Sequence, residues 1–111
     1  MVIYYKGLST SASVDEGKTI LELVSSEEEK KKARRIVITD VYNNPLLMDI
    51  WLENERIAEE IPLEVVSDAT PERVIDLDVE IPVGKRLTVK IKPQTAGNQG
   101  SVRGWVEYEL V

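Results

Sequence analysis

The sequence predicts an all-β domain: an antiparallel β-sandwich of about eight strands, jelly-roll-like in preference to immunoglobulin-like. Three observations carry this. The aliphatic stock is 14 Val and 10 Ile against 10 Leu, with no Phe, so most core candidates are β-branched. Such side chains are stiff at χ1 and fit a pleated surface better than a helix. Apolar and polar residues alternate with period two along several segments, and Gly, Pro, Asn and Asp punctuate the chain between them.

Taken in order, Val2 to Lys6 reads as a short strand closed by Gly7. Leu8 to Gly17, rich in Ser, Thr and Ala, reads as a loop ending in the turn Asp15-Glu16-Gly17. Lys18 to Val24 is the next strand. In Ser25 to Ala33 either serine fits a helix N-cap with a glutamate three residues on. Glu27 to Lys31 and Glu28 to Lys32 have favourable i,i+4 spacing. The stretch has only Ala33 to bury, and so short a helix is marginal, so it is expected as a solvated connection.

Arg34 to Tyr42 is a strand with apolar residues on both faces, Ile36 and Ile38 on one, Val37 and Val41 on the other. That is the pattern of a central or doubly covered strand. Asn43-Asn44-Pro45 is a turn. Leu47 to Glu53 and Arg56 to Ile61 are strands joined at Asn54-Glu55. Pro62 interrupts the ladder, Leu63 to Val66 resumes it, and Ser67 to Glu72 is a loop.

The clearest alternation follows. Ile75, Leu77, Val79 and Ile81 are separated by Asp76, Asp78 and Glu80, and after Pro82-Val83-Gly84 the pattern returns as Leu87, Val89 and Ile91. The expectation is a hairpin with Gly84 in the left-handed position, pairing Glu80 with Arg86, Val79 with Leu87, Leu77 with Val89 and Asp76 with Lys90. Apolar then meets apolar on one face and acid meets base on the other. Pro93 to Ser101 is a Gly-containing loop. Val102 to Leu110 closes the chain, with Val102, Gly104, Val106, Tyr108 and Leu110 on one face and Arg103, Trp105, Glu107 and Glu109 on the other.

A length of 111 residues fits a single domain, 1–111, with one core, and the absence of Cys leaves its stability to packing. The net charge of −6, from 20 acids and 14 bases, argues against nucleic acid as a partner. The basic run Lys30 to Arg35 directly follows Glu27, Glu28 and Glu29, which offset it. No apolar run approaches the roughly 20 residues that span a bilayer, so no membrane span is expected. Met1 to Leu8 lacks the features of a signal peptide, which points to a cytoplasmic protein or one released in a particle. Abundant Glu, Lys and Arg with no Cys or His gives a thermophile-like composition.

With neither His nor Cys, nucleophile systems built on those residues are excluded, as are their zinc, copper and haem sites. What remains is carboxylate and lysine chemistry, which needs a cleft that so small a domain has little room for. The expectation is no enzyme and no cofactor. Gly97-Asn98-Gln99-Gly100-Ser101 lacks the Lys-Ser/Thr ending of a phosphate loop and runs into a strand. Asp40, Asn43 and Asn44, with Asp15 and Glu16, are candidate oxygen ligands for calcium, although turns use Asp and Asn for backbone reasons as well. Asp76, Asp78 and Glu80 read as a solvated face.

Both tryptophans fall on the polar parity of their strands, Trp51 with Asp49 and Glu53, Trp105 with Arg103 and Glu107. Large aromatics on an otherwise polar face mark interfaces or ligand platforms. Trp51, Trp105, Tyr42, Ile36, Ile38 and Tyr108 are therefore the interface or ligand-stacking candidates. The alternative for the tryptophans is packing beneath a loop such as Leu8 to Val14. Two function classes follow. The first is a structural or assembly module, a homo-oligomer or a unit docked on a larger virion-like or surface assembly. The second is a carbohydrate-binding module stacking a glycan on Trp51, Trp105, Tyr42 or Tyr108. Both rest on fold-level analogy, and the first is favoured.

Overall fold

The computed structural model describes residues 2–12, 17–65, 73–95 and 97–111. Its strands are β1 (Ile3–Ala12), β2 (Lys18–Val24), β3 (Lys31–Tyr42), β4 (Leu46–Leu52), β5 (Glu55–Leu63), β6 (Arg73–Glu80), β7 (Arg86–Pro93) and β8 (Gly100–Leu110). Pairing is nested: β1 with β8, β2 with β7, β3 with β6 and β4 with β5, all antiparallel. The chain thus runs out along four strands and returns beside them. Pairings of β3 with β8 and β4 with β7 complete two four-stranded sheets, β1-β8-β3-β6 and β2-β7-β4-β5. These form a β-sandwich.

Alternation explains which side chains lie between the sheets. The first sheet supplies Leu8, Ala33, Ile36, Ile38, Val41, Val102 and Val106, and the second supplies Leu21, Leu23, Leu46, Met48, Ile50, Leu63, Leu87, Val89 and Ile91. Ile75, Leu77 and Tyr108 pack against this core from its margin.

The expected β6–β7 hairpin does not form, because the two arms belong to different sheets. The chain turns a corner at Pro82–Lys85, where Lys85 N–H donates to Pro82 C=O at 2.9 Å and Gly84 takes φ +80°. Ser25 pins that corner, since its C=O accepts from Gly84 N–H at 3.0 Å and its N–H donates to Lys85 C=O at 3.3 Å. Period-two alternation specifies which face is inward and leaves the neighbouring strand open. Both arms point their apolar residues inward, facing one another across a sandwich spaced at about 10 Å rather than side by side at about 4.8 Å. The acids of β6 meet the bases of β3 instead: Asp76 lies opposite Arg35, and Glu80 opposite Lys32.

Four other expectations need correction. β1 runs through Gly7 to Ala12, held in unbroken register by β8, where the composition pointed to a loop. The charged connection after Ser25 is solvated as expected but shorter than expected. Ser26 Oγ accepts from Glu29 N–H at 3.1 Å, a local turn, and β3 already begins at Lys31 with Ala33 fully buried. β5 continues across Pro62 to Leu63 on a sheet edge, where a missing N–H is tolerated. In β3 the register shifts between Ala33 and Arg35 and again between Ile38 and Asp40. The second shift turns Val41 to the same side as Ile36 and Ile38, so all three are core residues and none contributes to the outer surface. The expected turn at Asp15-Glu16 and the loop Ser67 to Glu72 lie outside the described residues.

Candidate functional site

The outer face of the first sheet carries a continuous row, Tyr5, Glu107, Arg35 and Asp76, in register across β1, β8, β3 and β6. Arg35 Nε donates to Glu107 Oε1 at 2.7 Å, and Trp105 Nε1 donates to Glu107 Oε2 at 2.9 Å. Glu107 is only 7% exposed, yet both its oxygens are satisfied. The Trp105 hydrogen bond, with help from Arg35, holds its carboxyl below the usual carboxylate range against the opposing effect of burial. The same pair raises the Arg35 guanidinium.

Beside this row, Arg34 bridges Asp78 Oδ1 at 3.3 Å and Glu109 Oε1 at 3.4 Å. Glu109 Oε2 is buried and meets no donor among the described residues. These groups border an open groove of about 310 Å³ lined by Ile3, Arg34, Arg35, Asp76, Asp78 and Glu107. Its charged groups are largely committed to each other across β8, β3 and β6. Their chemistry is that of a clasp between strands.

The second sheet carries Trp51 on its outer face. Arg56 from β5 and Lys90 from β7 place their cationic groups 5.4 and 5.5 Å from the ring centroid. Such cation–π contacts hold the indole in place and occupy its surroundings. Trp51 and Trp105 both keep the outward parity expected from the sequence, but on opposite sheets, so they share no platform. Tyr42 is exposed at the end of β3. Tyr108 faces the core margin and stacks on Tyr4, with centroids 5.6 Å apart and planes at 21°.

Among the calcium candidates, Asp40 Oδ2 accepts from the Thr39 hydroxyl at 3.2 Å and Asn44 Nδ2 donates to Gln99 C=O at 2.8 Å. No group of three or more acidic, His or Cys side chains converges on a metal position among the described residues. Asp15 and Glu16 lie outside those residues.

The feature that sequence reading missed is at the sheet edges. β5 is a guarded edge: its register with β4 shifts twice, Glu60 takes φ +49°, and it carries Pro62 with Glu55, Glu59 and Glu60. On β6, Asp78 takes φ +51° at a register shift, and Asp76, Asp78 and Glu80 line the strand. β2 has a register shift between Thr19 and Leu21, while Lys6 Nζ donates to Glu22 C=O at 2.9 Å and Lys31 Nζ donates to Val24 C=O. Bulges, prolines, charges and lysine caps are the means by which proteins keep edge strands from pairing. Among the described residues β1 has no bulge, no proline, no acid and no lysine cap on its carbonyls. Its ten residues keep unbroken register with β8, include no acid and no proline, and carry Lys6 as their sole charge. Val2, Tyr4 and Tyr5 along its bulky end are 65, 40 and 66% exposed.

No protein-family model matches the chain, and no curated protein matches it.

Proposed function

We propose that this domain is a non-catalytic structural module that works by being held against another protein chain, a second copy or a larger assembly, through strand addition at β1. The observation that supports this reading is the contrast among edges: β2, β5 and β6 are guarded, while β1 is long, unbroken in register, acid-free and carries exposed Tyr4 and Tyr5 next to exposed Val2. An open edge presents a row of N–H and C=O groups ready to pair, and a soluble protein that leaves one unguarded has a use for it. The nested winding, with sheet orders β1-β8-β3-β6 and β2-β7-β4-β5, also favours the jelly-roll over the immunoglobulin reading. Jelly rolls recur in capsid and lectin domains, so that analogy by itself leaves the function open.

The glycan alternative has less behind it. Trp51 is flanked by two cationic side chains, and Trp105 is half-buried with its N–H committed to Glu107. The test is amide hydrogen exchange on the purified chain over a wide concentration range, run beside sedimentation. The expected result is association accompanied by protection of the β1 amides that do not bond to β8. A chain that stays monomeric, with those amides exchanging freely at every concentration, would overturn the proposal.

A further inference from the structure

We infer that the strand received by β1 is β1 of a second copy, running antiparallel about a two-fold axis at Gly7. This rests on the strand-addition reading above and names its partner and register.

The strand is graded along its length. Bulky residues occupy its start, Ile3, Tyr4 and Tyr5, and small ones its end, Ser9, Thr10, Ser11 and Ala12. A parallel copy would set bulky against bulky. An antiparallel copy centred on Gly7 sets Tyr5 opposite Ser9, Tyr4 opposite Thr10 and Ile3 opposite Ser11, large against small at these three steps, with Lys6 opposite Leu8 next to the axis. It also pairs nine positions, Ile3 to Ser11. A two-fold at Tyr5 would pair only Ile3 to Gly7, and a two-fold at Lys6 would set one ammonium against the other, which is destabilising.

Gly7 suits the axis. A Cβ built on it meets nothing within 4 Å. It lies opposite Trp105 of β8, so the central row of the dimer becomes Trp105, Gly7, Gly7, Trp105. The half-buried indoles then flank a seam with no side chain at its centre. Odd-numbered positions meet odd-numbered positions, so the outer faces of the two copies are continuous in one sheet of eight strands. The guarded state of β2, β5 and β6 disfavours a head-to-tail contact, which leaves a closed two-fold dimer rather than a filament.

The chain has no cysteine, so a single introduced thiol reports its own surroundings. Directly opposed residues in an antiparallel pair have Cα atoms about 4.5–5.5 Å apart, inside the window for a disulfide. Gly7→Cys, treated with oxidised glutathione as the electron acceptor, is expected to cross-link to its own copy at least about tenfold faster than Val83→Cys on the exposed β6–β7 corner. An equimolar mixture of Tyr5→Cys and Ser9→Cys should cross-link to each other and not to themselves. If the chain associates with β1 protected but Gly7→Cys cross-links no faster than Val83→Cys, the inference is overturned and strand addition stands. If the chain neither associates nor gains protection, both fall.

Discussion

Gly104 gives the sharpest test of the sheet register. It lies on β8 between Leu8 of β1 and Ile38 of β3. A Cβ added there would fall inside the contact radius of the Val37 carbonyl oxygen and 3.0 Å from Ile38 Cα. These are backbone atoms, so no rotamer change relieves the clash. Ordinary carbon contacts lie at about 3.5–4.0 Å, so β3 and β8 must part by about 1 Å or more. Overpacking alone costs about 1–3 kcal/mol. Each ladder hydrogen bond lost as two central strands separate adds about 1 kcal/mol. Gly104→Ala is therefore expected to cost about 3–5 kcal/mol in a domain whose total is of the order of 5–15 kcal/mol. In urea unfolding followed by circular dichroism the midpoint should fall by about 2 M, taking a slope near 2 kcal/mol/M. Gly7→Ala is the control. Its new methyl meets nothing, so stability should change by less than about 1 kcal/mol. A Gly104→Ala protein within about 1 kcal/mol of wild type would show the β3–β8 register to be wrong.

Reversing charge at Glu80 and Arg86, singly and together, should give a coupling within about 0.3–0.5 kcal/mol of zero in a double-mutant cycle, because the two residues sit in different sheets. A clear recovery in the double variant would restore the hairpin. Ile50→Ala removes a fully buried side chain and should cost about 2–5 kcal/mol in the same urea assay; a change below about 1 kcal/mol would move Ile50 out of the core. Glu107 has a folded pKa below its unfolded one, so its stabilisation is present above the ordinary carboxylate pKa and is lost as pH falls through the lowered value. Trp105→Phe removes the main cause of that lowering, so the stability gap to wild type should be widest at neutral pH and narrow on acidification, and a gap independent of pH would contradict the assignment. Two copies of net charge −6 repel while the β1 seam brings no acid to the contact, so dimerisation should strengthen between 0.1 and 1 M salt as the Debye length shrinks from about 10 to about 3 Å. Sedimentation showing dissociation by salt would point instead to Lys6 pairing with an acidic edge.

Much of the fold was legible because burial imposes a period. Lys18–Val24 has the bounds read from sequence, the Leu87, Val89, Ile91 and Val102, Val106 sets face inward as alternation requires, and both tryptophans face outward. What alternation cannot specify is the partner. The acid–base match between β6 and β7 was real chemistry, but the bases of β3 answered the same acids from a strand some forty residues earlier in the chain. Alternation also fails silently at a bulge. Ile36, Ile38 and Val41 share a face only because the register shifts after Ile38, and no residue type at Thr39 announces that shift. β1 was truncated because Gly, Ser and Thr score poorly as strand formers, a preference that pairing with β8 overrides.

The candidate site was less legible for a related reason. An edge is a property of a sheet, so it exists only once strand order is known. The residues that guard an edge, such as Asp78, Glu60, Pro62 and Lys31, look in sequence like ordinary turn formers and solvated charge. Their meaning comes from where they act: Asp78, Glu60 and Pro62 lie on the edge strands β6 and β5, and Lys31 reaches from β3 to cap the edge strand β2. The tryptophans drew attention first because exposed aromatics are visible in any sequence. Once placed, each is tied down by charged neighbours of its own sheet, Trp51 by Arg56 and Lys90, Trp105 by Glu107. The strand with the least conspicuous composition, Ile3–Ala12, is the one whose outward hydrogen-bonding groups have no such provision among the described residues. Bulges and charges on three edges beside an unbroken, acid-free fourth are the contrast on which the proposed contact at β1 rests.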